Sequence, residues 1–292
     1  MKYYSVFIVT ILLFACKENT AQTDSQVADV AQEEEALQVP IIDPNGTTLE
    51  TRINPPSGYE RVPAEPSSYE QYLRDLKLKE HGEPALMYDG TPKNGQDYVF
   101  IAVVDQEIGT RDLHQCADAV MRIRAEYLWQ TKQYDKIHFN FTNGFRCDYT
   151  KWMNGQRVSI KGNKTTWYNA GGPSNTYKDF WKYMELIFNY AGTLSLSKEL
   201  LPKDVKDLAI GDVFIRGGSP GHAILVIDVA IDPETGEKLF LLAQSYMPAQ
   251  QTQILVNHNK PIISPWYSED FGSMLNTPEW TFESSQLMTF ED

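Results

Sequence analysis

A cysteine early in the strongest helical stripe and a histidine at the start of a β-rich run are the two residues of this chain best suited to chemistry. Cys116 lies in Gln115 Cys116 Ala117 Asp118, and His222 follows Gly221 and leads into Ala223 to Ala230. An amide carbon resists a neutral thiol, so a nucleophilic cysteine must become a thiolate, helped by an imidazolium and by the positive end of a helix. Cys116 and His222 meet that need by type. Two other readings of Cys116 stay open: a structural disulfide to Cys147, and an unreactive buried thiol. His114, Cys116 and Asp118 alternate along a helix and point in different directions, and no HExxH occurs, so no metal and no cofactor are expected. Gly217 to Gly221 lacks the Lys and Ser/Thr of a phosphate loop and reads as a tight connection that brings His222 to a cleft.

These groups need elements to hold them. Leu113, Cys116, Ala117, Val120, Ile123, Tyr127 and Leu128 recur at helical spacing and predict a helix from about 110 to 131, which puts Cys116 in its second turn. There the amide would already be bonded and the helix field weak, and Asp118 would oppose a thiolate. A short helix over 69–77 and another over 175–190, stopped at Ala191 Gly192, follow from the same spacing. Residues 97–104, 212–216, 222–230 and 238–245 read as strands, the last two joined by a turn at Asp232 to Gly236. Residues 40–66 carry Pro40, Pro44, Pro55, Pro56, Pro63 and Pro66 and read as an irregular arm. Residues 140–174 are polar and glycine-dotted, with Phe145, Tyr149, Trp152, Trp167 and Tyr168 among them. They read either as loops or a hairpin presenting aromatics to a polymer, or as a satellite core under a long loop. Trp152, Trp167 and Tyr168, with Ser219, are the candidate substrate contacts. Residues after 246 show no period and read as a packing tail.

The order of an early helical cysteine, Gly211 Asp212 Val213 Phe214 Ile215, Gly221 His222 Ala223 Ile224 Leu225 Val226, and Leu241 Leu242 Ala243 Gln244 resembles the papain-like NlpC-type and CHAP-type cell-wall cysteine amidases. The resemblance covers about residues 100 to 250. It implies an α+β, papain-like fold, with the cysteine helix packed on an antiparallel sheet and an aromatic-rich insertion. It also implies Cys116 as nucleophile, His222 as general base and acid, and peptidoglycan stem peptide as substrate. Gln244 falls where that family keeps the polar residue that orients the histidine, a role Ser245 or Asp228 could also fill. The whole chain also resembles an uncharacterised family of bacterial lipoproteins. The alternative is a non-catalytic envelope lipoprotein that binds a glycan or peptide in an aromatic-lined cleft, with Cys116 and Cys147 bonded.

Composition narrows the partners. The 292 residues hold 39 acidic and 26 basic side chains, a net charge of −13, which excludes a phosphate-backbone ligand. Residues 1–15, Lys2 followed by an apolar run, form a signal-peptide pattern too short to span a bilayer. Leu13 Phe14 Ala15 Cys16 resembles a lipobox, which implies Cys16 as the lipidation site and a membrane-anchored envelope protein on the periplasmic or outer face. Residues 16–39 form a flexible acidic tether, and 40–292 a single domain, expected to be a monomer.

Overall fold

The computed structural model describes Met1, residues 39–95 and residues 98–291. The signal peptide, Cys16 and all but the end of the tether lie outside the described residues. Contacts divide the chain into Met1–Val39 and Pro40–Asp292, and every element named below belongs to the second unit.

Its helices are α1 (Leu49–Arg52), α2 (Tyr69–Arg74), α3 (Cys116–Gln130), α4 (Tyr149–Met153), α5 (Tyr177–Tyr190) and α6 (Thr193–Glu199). Its strands are β1 (Glu60–Arg61), β2 (Phe100–Val103), β3 (His138–Asn140), β4 (Arg146–Asp148), β5 (Gln156–Lys161), β6 (Lys164–Asn169) and β7 (Leu201–Pro202). They continue with β8 (Val213–Arg216), β9 (His222–Ile231), β10 (Lys238–Gln244), β11 (Gln253–Leu255), β12 (Tyr267–Ser268), β13 (Met274–Asn276), β14 (Thr281–Glu283) and β15 (Leu287–Thr289). The principal sheet has the order β2-β11-β10-β9-β8-β15-β7, with β1 on β9 and β12 on β10, and the pairings are antiparallel. The fold is mixed α+β.

All of β9 except its last residue is buried, which explains why its sequence is an apolar run and not an alternating one. Helix α3 packs on β9 and β10, and Phe214, Phe240, Phe271 and Phe282 form an aromatic cluster on the sheet. Asp228 is fully buried in β9, and it accepts from Arg61 Nε at 2.6 Å and Arg74 Nε at 2.8 Å, which ties β1 and α2 to the central strand. Gly211 has φ +93°, and a Cβ there would stand 3.0 Å from the Tyr69 ring, so both conformation and space require glycine before β8.

Several elements differ from the expectations. The helix expected from residue 110 begins at Cys116, because Asp112 and Asp118 hold the preceding turn off the helix. Ala191 and Gly192 have extended backbones, and Gly192 caps the start of α6 instead of ending α5 in a left-handed turn. Residues 140–174 hold the end of β3, β4, α4 and the whole β5/β6 hairpin. The segment after 246 is more than packing: β11 joins β10 to β2, and β15 joins β8 to β7. Sequence alone could not find these strands, since runs of two or three residues are too short for a period.

Candidate functional site

Gln115 is the N-cap of α3, with extended backbone, and Cys116 is the first helical residue. Asp118 Oδ2 accepts from the Gln115 N–H at 3.0 Å, and Asp112 Oδ1 accepts from Gln115 Nε2 at 3.0 Å and from the Ala249 N–H at 2.7 Å. These bonds give the chain an alternative to helix before residue 116. The thiol therefore stands at the positive end of a 15-residue helix, where first-turn amides have no partner inside the helix.

His222 opens β9 and Gln244 closes β10. Their meeting depends on one extra residue. Leu241 pairs with Asp228 but Leu242 pairs with Val226, so Ile227 is a bulge, and Ala243 pairs with Leu225. That register makes Gln244 and His222 diagonal neighbours on one face. Without the bulge, Gln244 would turn to the opposite face. His222 Nε2 and Gln244 Oε1 are 2.9 Å apart, so an Nε2–H donates to the amide oxygen and Nδ1 carries the lone pair. Gln244 Nε2 donates to Glu279 Oε2 at 2.6 Å, and Lys93 Nζ stands 2.8 Å from both Glu279 oxygens. Tyr246 and Trp280 flank the imidazole with ring centroids 4.9 and 5.3 Å away.

Cys116 and His222 line one cleft of about 520 Å³, with Gln115, Thr193, Ser219 and Trp280 among its walls. The Ala223 backbone, next to His222, favours the Cys116 thiolate. Burial outweighs it and, with Asp118 adding to the effect, pushes the thiol up to about 11. Burial also lowers His222 to about 4, against the raising influence of Gln244 and Glu279. Burial raises Asp118 well above the ordinary carboxylate range. The resting pair at neutral pH is thus thiol and neutral imidazole.

Residues 49–289 match the family described as a domain of unknown function, DUF4846. The chain belongs to the DUF4846 family. No curated protein and no solved structure matches it.

Of the residues singled out in this DUF4846 chain, Cys116, His222 and Ser219 line the cleft, and Gln244 backs the histidine from a buried position. Asp228 is held by its two arginines, and Ser245 Oγ donates to the His114 and Gln250 carbonyls, so neither orients His222. The aromatic wall is not assembled at the cleft. Trp152 is buried, its Nε1 donating to the Asp179 carbonyl; Trp167 packs on Phe145; and Tyr168 is exposed on the β5/β6 hairpin. Cys116 and Cys147 are free, and Cys147 is buried in β4, so the disulfide reading is not met. The Gly217–Gly221 connection does deliver His222: a Cβ at Gly221 would lie 2.5 Å from Thr193 Oγ1, so the loop lies tight against α6. Among the described residues no helix is long and apolar enough to cross a membrane.

Lys93, Tyr246, Glu279 and Trp280 escaped sequence reasoning. Glu279 and Trp280 sit in an aperiodic segment, and Lys93 follows a proline in a turn-rich stretch. No local spacing links Lys93, Glu279 or Trp280 to residues 222 and 244, and Tyr246, two residues past Gln244, lies beyond the end of β10.

Proposed function

We propose that this DUF4846 protein is a cysteine hydrolase of amide bonds. The observation that carries the reading is that a cysteine at a helix amino terminus shares a cleft with a histidine whose Nε2 is held by a glutamine. In the reaction the Cys116 sulfur bonds to the amide carbon as His222 Nδ1 takes the thiol proton. The oxyanion faces first-turn amides of α3, including that of Cys116. The C–N bond then breaks, and His222 returns the proton to the leaving amine, leaving a thioester. Water attacks the thioester carbon while His222 takes its proton, the C–S bond breaks, and His222 returns the proton to the sulfur, releasing a carboxylic acid and the thiol.

A cysteine helix packed on antiparallel strands that carry the histidine and glutamine supports a papain-like arrangement. The resemblance to NlpC-type and CHAP-type amidases favours peptidoglycan stem peptide as substrate. The signal pattern and Cys16 favour a lipid-anchored envelope protein. Cleavage of muropeptides by the purified protein, lost at least a thousandfold in Cys116→Ala, is the expected result. Undiminished cleavage by Cys116→Ala would overturn the mechanism. A wild-type protein that binds muropeptides without cleaving them would favour the binding-lipoprotein reading.

A further inference from the structure

We infer that Glu279, gripped by Lys93, is a positioning residue that sets the proton of His222 by locking the side-chain amide of Gln244. The inference rests on the hydrolase reading and extends its machinery to two residues distant in sequence.

A glutamine amide can present either its oxygen or its NH₂ to a neighbour, and the two orientations have nearly the same shape. Against His222 they have opposite consequences. With Oε1 toward the ring, Nε2 must carry the proton and Nδ1 is a base. With the NH₂ toward the ring, Nε2 must offer its lone pair, which moves the proton to Nδ1 and leaves no base for a thiol. Glu279 removes the choice. Ion-paired with Lys93, its oxygens only accept, so the Gln244 NH₂ must point at Glu279, and the 2.6 Å contact is that of a charge-assisted hydrogen bond. Oε1 is then left for His222, 2.9 Å away.

Lys93 is itself fixed. It is 9% exposed, it donates to Gln250 Oε1 at 2.9 Å as well as to Glu279, and Gln250 Oε1 also accepts from the buried Gln253 at 2.6 Å. Along the contacts from β11 to Gln244 each acceptor sits between two donors: Gln253 and Lys93 donate to Gln250 Oε1, and Lys93 and Gln244 donate to Glu279. An ion pair serving only as a tie between segments would not need its carboxylate on the amide that touches the imidazole.

The test is ¹⁵N NMR of the His222 ring in the full-length protein, alongside steady-state cleavage. The wild type is expected to show a single Nε2–H tautomer. Glu279→Gln, whose amide can donate or accept, is expected to add the Nδ1–H tautomer and to lower kcat at least tenfold with KM changed less than twofold. Lys93→Met, which removes the grip that holds Glu279 against Gln244 and lets the carboxylate turn off the amide, is expected to move both readouts the same way, and serves if Glu279→Gln fails to fold. A pure Nε2–H ring in both folded variants with unchanged kcat would overturn the inference. The tautomer is read without turnover, so an inactive wild type would count against the hydrolase reading and leave this result decidable.

Discussion

At the scale of single residues, the site departs from a preformed thiolate–imidazolium pair. Cys116 and His222 are both buried enough to disfavour their charged forms, the thiol lying near 11 and the imidazole near 4. The consequence is a pH profile. Because the His222 pKa is depressed, the ring stays neutral and able to take a proton down to about pH 4, where protonation removes the base. The acid limb of kcat/KM should therefore fall near pH 4, well below the ordinary histidine value. A limb near 6.5 would show that the ring is solvated in the unliganded protein.

At the scale of elements, β9 carries the design. Its first residue is His222, its bulge at Ile227 selects the face that Gln244 shares, and its Asp228 lies immediately beside that bulge. Arg61 and Arg74 converge on Asp228 from β1 and α2, so the carboxylate is the hub of a buried ion cluster. Removing it strands guanidinium charge in a buried setting. Asp228→Ala is expected to cost about 3–5 kcal/mol of stability, measured by urea unfolding. A loss under 1 kcal/mol would mean that the arginines find water or other partners.

At the scale of the whole molecule, a partly buried acid links the helical side to the β3/β4 hairpin. Glu199, the last residue of α6, accepts from the Asn140 N–H at 2.8 Å, and burial raises its pKa to about 7 from 4.5. A raised pKa means that the folded state holds a proton the unfolded chain has lost. The stabilisation is therefore complete below about pH 4.5 and disappears as pH rises through 7, an effect of roughly 3 kcal/mol. Glu199→Gln keeps an acceptor for Asn140 without the charge. It should gain stability relative to wild type between pH 5 and pH 8, a difference that paired urea melts would read; a constant difference would place Glu199 in water.

Local signals in the sequence determined a good deal: the apolar runs of β8, β9 and β10, the amphipathic stripe of α5, the existence of α3 but not the burial of its Asp118, Arg122, Arg124 and Glu126, the order of Cys116, His222 and Gln244, and the tight glycine connection before His222. These follow from periodicity and turn chemistry, which neighbouring residues carry by themselves. Three decisions belonged to the tertiary structure. Helix α3 starts at Cys116 because Asp112 and Asp118 capture the backbone and side-chain donors of Gln115 and the distant Ala249. Gln244 faces His222 because one bulged residue shifts the strand register, and a shift of one reverses the face. Lys93 and Glu279 complete the site through pairings across 186 residues of sequence, where no spacing rule reaches and only tertiary packing brings opposite charges together.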